Sequence, residues 1–490
     1  MDLVRLVIFG GAHLLFAASS ASVAVVCRGK GMLLLACTAL ACVVAITILA
    51  SITDPGSSLL MGMVRDVKAH HRGALVSIAL GVSTAVPWLL LTLPVTDTSS
   101  TWKSRLIIPV LSTSLTASVL CVALLLYRGF QQSWNRSSVN LVCLDPRFSV
   151  EEVASFANSD RVEDIGAFPI CAAVDEKDNV FVSVQIDSQG YYSGQIVQLV
   201  EGVGAGNRLQ LRIVAESPCL FRVFGLAVRA GRIYVSRSGF LARARKGRIE
   251  YENSGAITRL SDLDRDGMMD YYEDLVEGLP GCQGPGPAHS NNAIAFGPDG
   301  SLYFTQGVHS DRDVLNHPWE GKILRASEDF KNVSVFASGF RNPFGLVQGP
   351  DGRLFATDSD VTGGNPGDEL NLIKEGADYG HPYVVGDEDG GGMFEKPLLL
   401  WDKGCFAAMA YSDSPSLPEE YRGCLFIADV ASNQVLRVIV TRKGDVYSAR
   451  ATSFVEVPAP IGIAVTRSGV FYITSLQGAI FRVRTNAEVK

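Results

Sequence analysis

A unit of two apolar segments joined by a tight turn recurs six times along residues 168–484 of this 490-residue chain. The fourth copy, PFGLVQGPDGRLFATDS, places a Pro-Asp-Gly turn between two apolar stretches, and this pattern predicts a β-hairpin. A third apolar segment follows, and in several copies it has an arginine between apolar residues. The copies follow one another at intervals of 52 to 68 residues, taking as equivalent Ala172, Gly225, Ala293, Gly345, Ala407 and Gly462. Six such units predict an all-β six-bladed propeller, whose radial closure protects the sheet edges, and leave a pair of β-sandwiches or a solenoid as alternatives.

Residues 1–130 differ from the repeats because they are strongly apolar and poor in acidic residues. Four apolar runs occupy residues 6–26, 32–52, 73–95 and 106–127. Each is near the roughly 20 residues that cross a bilayer as a helix. We therefore predict an α-helical transmembrane region of about four helices at 1–130, a linker at 131–165 and the propeller at 166–490. The first run, which contains Gly10, Gly11 and His13, is also compatible with a signal segment.

Charge and cysteine content bear on the partners and the location of the propeller. The formal net charge of −7 argues against nucleic acid as a partner. Lysine and arginine between the apolar runs weakly favour a cytoplasmic propeller. Six cysteines after residue 140, which are compatible with three disulfides, favour the opposite side, as do glycosylation sequons at Asn135 and Asn332. We predict a multi-pass membrane protein with its propeller on the extracytoplasmic side.

An acidic segment in the second repeat matches the calcium-loop pattern D-x-D-x-D-G-x-x-x-x-x-E at every position. In this pattern carboxylates surround one cation, a glycine permits a sharp turn, and a backbone carbonyl adds a ligand. The predicted ligands are Asp262, Asp264, Asp266, the carbonyl of Met268, Asp270 and Glu273. The alternative is an acidic, solvated loop. Bound calcium is predicted to be structural, because the segment lies away from the repeat starts.

Polar residues begin the third and fourth repeats, whereas the other repeats begin with apolar ones. The starts of the inner strands line the central channel of a propeller. His289 is a candidate general base, since an unperturbed imidazole titrates near neutrality, or a structural histidine. Arg341, followed by Asn342, can hold an anionic group bidentately or pair with nearby aspartates. Those aspartates, Asp358 and Asp360, can bind calcium or cap the strand end.

Three stretches resemble the soluble glucose dehydrogenase and sorbosone dehydrogenase family: HSNNAIAFGPDGSLYFTQG, GFRNPFGLVQGPDGRLFATDSD and GDELNLIKEGADYGHP. The resemblance covers residues 168–484 and implies a propeller that uses pyrroloquinoline quinone and calcium to oxidise a sugar or a related alcohol or aldehyde. It implies that His289 is the catalytic base and that Arg341 and Asn342 contact cofactor and substrate. It also implies a quinone or calcium contact at Asp358 and Asp360. A sugar-like substrate is the implied partner. The four predicted membrane spans, which lie outside the resemblance, add a membrane electron acceptor as a second expected partner.

A departure from the family in two segments leaves other functions open beside the leading prediction of a quinone-dependent oxidoreductase. The family presents lysine and arginine to the quinone carboxylates in its last two blades, but the corresponding segments here, 431–433 and 459–461, are uncharged. A trianion binds poorly without such cations, which fits a non-catalytic, ligand-binding propeller ectodomain. A calcium-dependent hydrolase of the lactonase type is the third possibility, for which Asn291, Asn342 and Asp358 supply a partial set of channel ligands.

Overall fold

The computed structural model describes residues 141–486 apart from 157–165, 189–190, 203–207, 239–241, 246–247, 252–254, 281–288, 290, 309–314, 316, 360–366, 385, 389 and 403. Within the described residues, no helix has the length and apolar character needed to cross a membrane. The four predicted membrane runs fall in residues 6–127, outside the described part of the chain.

Six antiparallel sheets, named blades 1 to 6 in chain order, contain the strands of the six repeats. Two strands precede them, β1 (Val142–Cys143) and β2 (Phe148–Ser155). Blade 1 contains β3 (Gly166–Val174), β4 (Val180–Ser188), β5 (Tyr191–Glu201) and β6 (Leu209–Ser217). Blade 2 contains β7 (Val223–Arg229), β8 (Arg232–Arg237), β11 (Gly255–Ser261) and β12 (Tyr271–Leu279), with a separate hairpin of β9 (Ala242–Arg245) and β10 (Arg248–Tyr251). Blade 3 contains β13 (Asn291–Phe296), β14 (Leu302–Gln306), β15 (Lys322–Ala326) and β16 (Val333–Ser338).

The remaining blades follow the same order of strands. Blade 4 contains β17 (Pro343–Gln348), β18 (Leu354–Asp358), β19 (Asp368–Ile373) and β20 (Leu399–Trp401). Blade 5 contains β21 (Phe406–Ser412), β22 (Cys424–Asp429), β23 (Gln434–Lys443) and β24 (Val446–Glu456). Blade 6 contains β25 (Pro460–Val465), β26 (Phe471–Ser475) and β27 (Ala479–Thr485). Short 3-10 turns lie at Pro218–Leu220, Pro350–Gly352 and Glu419–Tyr421.

The six inner strands, β3, β7, β13, β17, β21 and β25, form a closed ring. Each packs against the inner strand of the next blade, and β25 packs against β3. Neighbouring blades also pack face to face, so the second strands β14, β18 and β22 are buried at every residue. Burial on both faces explains why each of these strands begins with an apolar run and has its polar residues only at the end. The ring confirms the six-bladed propeller and excludes the sandwich pair and the solenoid.

The first two strands join the last two blades: β2 is the fourth strand of blade 6, and β1 is a fifth strand of blade 5. β2 pairs with β27 in blade 6, and β1 pairs with β24 in blade 5. Phe148–Ser155, within the segment 131–165 for which the sequence predicted only a linker, therefore forms a blade strand. The open edge of β27 explains the difference, because its backbone groups gain partners only if another strand adds to the sheet.

Glycines on alternate inner strands allow close contact between blades. A Cβ atom added to Gly225 would lie 2.2 Å from the backbone oxygen of Asn292, and one added to Gly462 would lie 2.3 Å from that of Ile170. Hydroxyl groups reinforce some of the same junctions: Thr474 Oγ1 donates to the Ile170 oxygen over 2.5 Å. The small residue that defined the repeat therefore marks the point where one blade meets the next.

We expect Gly225→Ala to destabilise the propeller by about 1–3 kcal/mol. The new methyl group would meet backbone atoms of the next blade, which cannot move aside as a side chain can, so the two blades would be forced apart. Urea unfolding of the variant and the wild type measures this loss. Ala293→Gly, at the equivalent place in blade 3, removes a methyl group and is the matched comparison. Equal stability of Gly225→Ala and the wild type would contradict the close packing described above.

Cysteines in the described residues carry free thiols: Cys143, Cys171, Cys219, Cys405 and Cys424. Burial raises the pKa of Cys171 to about 12, so this thiol stays protonated. The three disulfides compatible with the cysteine count are therefore not formed among these five residues. Cys282 lies outside the described residues.

Candidate functional site at the channel mouth

His289 lies two residues before the inner strand of blade 3, near the strand start at which the sequence placed it. Its Nδ1 lies 2.9 Å from the backbone oxygen of Val308. A carbonyl oxygen only accepts hydrogen bonds, so Nδ1 must carry the hydrogen and donate. In the neutral ring, Nε2 therefore holds the lone pair, which is the form that a general base requires.

Asn342 lies beside His289, and the two residues flank Gly307. A Cβ atom added to Gly307 would lie 2.4 Å from the Cβ of His289 and 3.2 Å from Oδ1 of Asn342. The Nδ2 group of Asn292, which is almost fully buried, donates to Asn342 Oδ1 over 2.9 Å and to the Pro343 oxygen over 3.2 Å. Asn292 thereby fixes the orientation of the Asn342 amide across the junction of blades 3 and 4. The glycine leaves room for the histidine and the amide to approach each other.

Arg341 is held in the wall of blade 4, with only 5% of its surface exposed. Its Nη1 donates to the backbone oxygen of Ser359 over 2.8 Å. Its own backbone oxygen accepts from the Val308 amide over 2.9 Å, so the loop that holds His289 is tied to Arg341. The structure thus connects the predicted base and the predicted arginine through Val308.

Asp358 caps the start of the fourth inner strand. Its Oδ2 accepts from the Arg341 amide over 3.0 Å, and its Oδ1 accepts from the Asn342 amide over 2.6 Å. Both carboxylate oxygens are therefore engaged with backbone, in the capping role that was the alternative to a calcium or quinone contact. Asp360 lies outside the described residues.

A second carboxyl group, Glu369, lies close to Asp358 in the interior of blade 4. Glu369 is 8% exposed; its Oε1 accepts from the Gly386 amide over 3.0 Å and its Oε2 from Asn371 Nδ2 over 2.9 Å. Burial first, and then the negative charge of Glu369, raise the pKa of Asp358 well above its usual value. These groups border a cavity of ≈ 10 Å³, about the space for one water molecule, lined by Gly339, Arg341, Asp358, Glu369, Tyr379, His381 and Val384.

We expect Glu369→Gln to weaken the pH dependence of stability. A raised pKa favours the protonated carboxyl of the folded state, so the contribution of Asp358 is fully present below about pH 4 and is lost as the pH rises through the raised value. Without the Glu369 charge the pKa of Asp358 is raised less, so the loss of unfolding free energy between about pH 5 and pH 8 should shrink. Urea unfolding at both pH values measures it. Glu277→Gln, at an exposed position, is the control, and an equal effect of both variants would refute the coupling.

Three carboxylates of the predicted calcium loop converge between β11 and β12. Oxygen atoms of Asp262, Asp264 and Asp266 lie within 4.8 Å of one another. Two ligands of one calcium ion, each at about 2.4 Å, can be at most about 4.8 Å apart, so this set fits a single ion. Gly267 has a φ of +95°, and its amide donates to Asp262 Oδ2 over 2.9 Å. The sharp turn expected at this glycine is present.

Of the later loop positions, only the last departs from the pattern. Asp270 Oδ1 accepts from the Leu263 amide over 3.0 Å, and the Met268 amide donates to Asp266 Oδ1 over 2.7 Å. Glu273 lies opposite Arg259 in the β11–β12 pair and forms an ion pair with it. The loop leads into a strand, and the register of that strand directs Glu273 to the arginine instead of to the aspartates.

The two loops that lack the family's cations are joined to each other. Asn433 Oδ1 accepts from the Ala459 amide over 2.8 Å, and the Asn433 backbone oxygen accepts from the Val457 amide over 3.0 Å. Asn433 and Ala459 both have left-handed backbones, with φ of 54° and 39°. These positions therefore hold blades 5 and 6 together and carry no charged side chain.

Glu369 and Asp368 also belong to this region, although the sequence pattern did not identify them as candidates. Asp368 Oδ2 accepts from the Phe406 amide and, over 3.4 Å, from the Ser359 hydroxyl. The available signal was the strand DELNLI, which places two carboxylates inside a buried apolar segment. Acidic residues are rarely buried without partners, so such a strand indicates a network.

Comparisons with known proteins agree with this architecture. The family model described as Glucose / Sorbosone dehydrogenase matches residues 231–482, more than half of the chain. The quinoprotein glucose dehydrogenase B of Acinetobacter calcoaceticus is 28% identical over 191 residues, which cover 32% of this chain and only 38% of that relative.

Two solved structures are similar in fold. An oxidoreductase of Thermus thermophilus, described as a glucose dehydrogenase, has a TM-score of 0.51 at 23% identity and covers 69% of this chain and 100% of its own. The holo form of the pyranose dehydrogenase PQQ domain from Coprinopsis cinerea has a TM-score of 0.50 at 12% identity and covers 70% of this chain and 97% of its own. At these identities the structures support the propeller fold alone. Together with the match over residues 231–482, the closed ring of six blades shows that the chain belongs to the glucose/sorbosone dehydrogenase family.

Proposed function

We propose that this protein oxidises a hydroxyl group of a sugar or a related alcohol at the mouth formed by His289 and Asn342. The observation that carries the proposal is the hydrogen bond from His289 Nδ1 to Val308, because it leaves the lone pair on Nε2. Nε2 takes the hydroxyl proton as the carbon–hydrogen bond gives up its hydride. Asn342, oriented by Asn292, holds the substrate hydroxyl or the acceptor beside the base.

Pyrroloquinoline quinone, when bound, would accept the two electrons and the hydrogen as hydride. His289 and Asn342 suit this oxidation, because they offer a base and an amide side by side. Asn433 and Ala459, which bond each other where the family has cations, suit it less well. We therefore expect quinone to bind weakly and to be needed in excess. Arg341 supports the site through the Val308 loop and Asp358.

The direct test is dye reduction by the full-length protein, supplied with excess quinone and calcium and with a panel of aldoses. Quinone-dependent reduction with at least one aldose is expected. If none appears at any quinone concentration, the dehydrogenase proposal fails and the ligand-binding ectodomain becomes the better assignment. Calcium-dependent lactone cleavage without quinone would instead favour the hydrolase.

We also propose that calcium binds at Asp262, Asp264 and Asp266, with Asp270 and the Met268 carbonyl as further ligands, and holds the outer strands of blade 2. We expect calcium to raise the melting temperature by a few degrees, since a ligand at about 100 times its Kd adds roughly 2.7 kcal/mol. Differential scanning calorimetry with calcium or with a chelator measures the shift. Asp264→Asn should abolish it, whereas Asp445→Asn at a fully exposed site should not. A shift that survives in Asp264→Asn would place the ion elsewhere.

We propose, finally, that the propeller is anchored to a membrane by the four apolar runs of residues 6–127 and faces the extracytoplasmic side. Their length and succession support anchoring. Extraction from membranes by alkaline buffer without detergent would refute the anchor. Protection of the propeller from protease in intact cells would refute the proposed side.

A further inference from the structure

A cleft of ≈ 500 Å³ lies on the outer strands of blade 5, beside β1. This volume falls in the range of roughly 300–1,000 Å³ that is usual for small-molecule sites. Its polar lining comes from Asp145, Arg147, Tyr421, Arg437, Thr452 and Ser453. Arg437 lies on the third strand of the blade and Thr452 directly opposite it on the fourth, so the cleft is separate from the inner strands that carry His289.

One of the two arginines is neutralised by its neighbours. Arg147 donates to both carboxylate oxygens of Asp145, from Nε over 3.0 Å and from Nη2 over 2.6 Å. It also pairs with Glu420, and the Tyr421 hydroxyl donates to Asp145 over 2.9 Å. The hydrogen bonds from Arg147 hold the pKa of Asp145 well below its usual value, so the pair stays ionised and Arg147 is committed to its carboxylate partners.

The other arginine keeps its charge available. The Cζ atom of Arg437 lies 4.4 Å from the centre of the Tyr421 ring, a cation–π contact that fixes the plane of the guanidinium. Among the described residues Arg437 forms no ion pair. Its Nε is buried without an acceptor, so its Nη1 and Nη2 groups are the donors that remain for a ligand. A guanidinium stacked by its face presents its N–H donors along the edge, in the arrangement that receives an oxyanion bidentately.

We propose that this cleft binds a small hydroxy-carboxylate, with its carboxylate on Arg437 and a hydroxyl group on Thr452. The charge balance favours a carboxylate over a phosphate group. Only one guanidinium is uncommitted, while Asp145 and Glu420 stand nearby, and a phosphate group carries about −1.5 to −2 charges at neutral pH. Thr452 Oγ1 lies 3.5 Å from the Arg437 backbone oxygen, a long contact that leaves the hydroxyl able to bond a ligand.

Gluconate is a suitable probe, and calorimetric titration of the full-length protein measures its binding. We expect Arg437→Gln to weaken gluconate binding at least about tenfold, a loss of about 1.4 kcal/mol. Arg437→Lys keeps the charge without the planar fork, so it should weaken binding less. Arg450→Gln, an exposed arginine on β24, is the matched control and should bind as the wild type does.

Circular dichroism of each variant shows whether the propeller is folded. If the Arg437→Gln variant does not fold, the Arg437→Lys variant tests the proposal by itself. Equal gluconate affinity in the wild type and in both Arg437 variants would overturn the proposal, as would the absence of binding to the wild type. Tighter binding of inorganic phosphate than of gluconate at this site would overturn the assignment of a carboxylate. The proposed carboxylate site does not depend on dehydrogenase activity, so either proposal can fail while the other holds.

Discussion

Replacing His289 by glutamine is expected to lower the rate of quinone-dependent aldose oxidation by about 10²–10⁴-fold, the usual contribution of a positioned general base. Glutamine keeps a polar amide of similar length at this position, but it cannot take up a proton. The loss should therefore fall on kcat, with little change in unfolding free energy. Steady-state dye reduction with saturating aldose and quinone measures the rate.

His317→Gln is the matched control, because this histidine also lies in blade 3 and its Nδ1 only accepts from the Trp319 amide, over 3.2 Å. It should keep wild-type activity. If His289→Gln oxidises aldoses at the wild-type rate, His289 is a structural residue. The hydrogen bond to Val308 would then be its role, and the base would have to be sought elsewhere at the mouth.

Replacing Arg341 by methionine is expected to reduce the free energy of unfolding by about 3–5 kcal/mol, as is usual when one partner of a buried charge network is removed. The substitution removes the bond to the Ser359 oxygen and leaves Asp358 and Glu369 buried without their positive neighbour. The positive charge of Arg341 lowers the pKa of Asp358, so its loss raises that pKa further. The destabilisation should therefore be larger at about pH 8 than at about pH 5.

Urea unfolding at the two pH values tests this result, with Arg442→Met as the control. Arg442 is exposed and makes only long ion pairs, at 3.5 Å to Asp351 and 3.7 Å to Asp445. Such a pair contributes roughly 0–1 kcal/mol. If both variants lose the same small amount of stability, Arg341 does not balance the buried carboxylates.

The repeat could be predicted from the sequence because neighbouring residues specify it. An apolar run, a turn and a second apolar run specify a hairpin from adjacent residues, and the structure has that hairpin at β17 and β18. In the turn between them, Asp351 and Gly352 have φ of 59° and 68°, as a tight reversal requires. The convergence of Asp262, Asp264 and Asp266 is local for the same reason, because five consecutive residues contain all three.

The candidate functional site could be predicted only in part from the sequence, because it is assembled from segments that are far apart in the chain. The sequence placed His289, Arg341 and Asn342 at strand starts, and the ring of inner strands places those starts at one mouth. It gave no indication that Asn292 orients Asn342 or that Glu369 lies near Asp358. These contacts join side chains across blades or across strands of one blade, and they depend on the register of the strands.

The same division applies to the whole chain. By itself the sequence determined the repeat, the blade number, the family and the acidic loop, because spacing between neighbouring residues carries that information. Only the tertiary structure decided that Phe148–Ser155 completes blade 6, that Glu273 pairs with Arg259, and that Asn433 bonds Ala459. Each of these depends on which backbone or charged group lies opposite after the ring has closed, and that is fixed by packing between residues far apart in the chain.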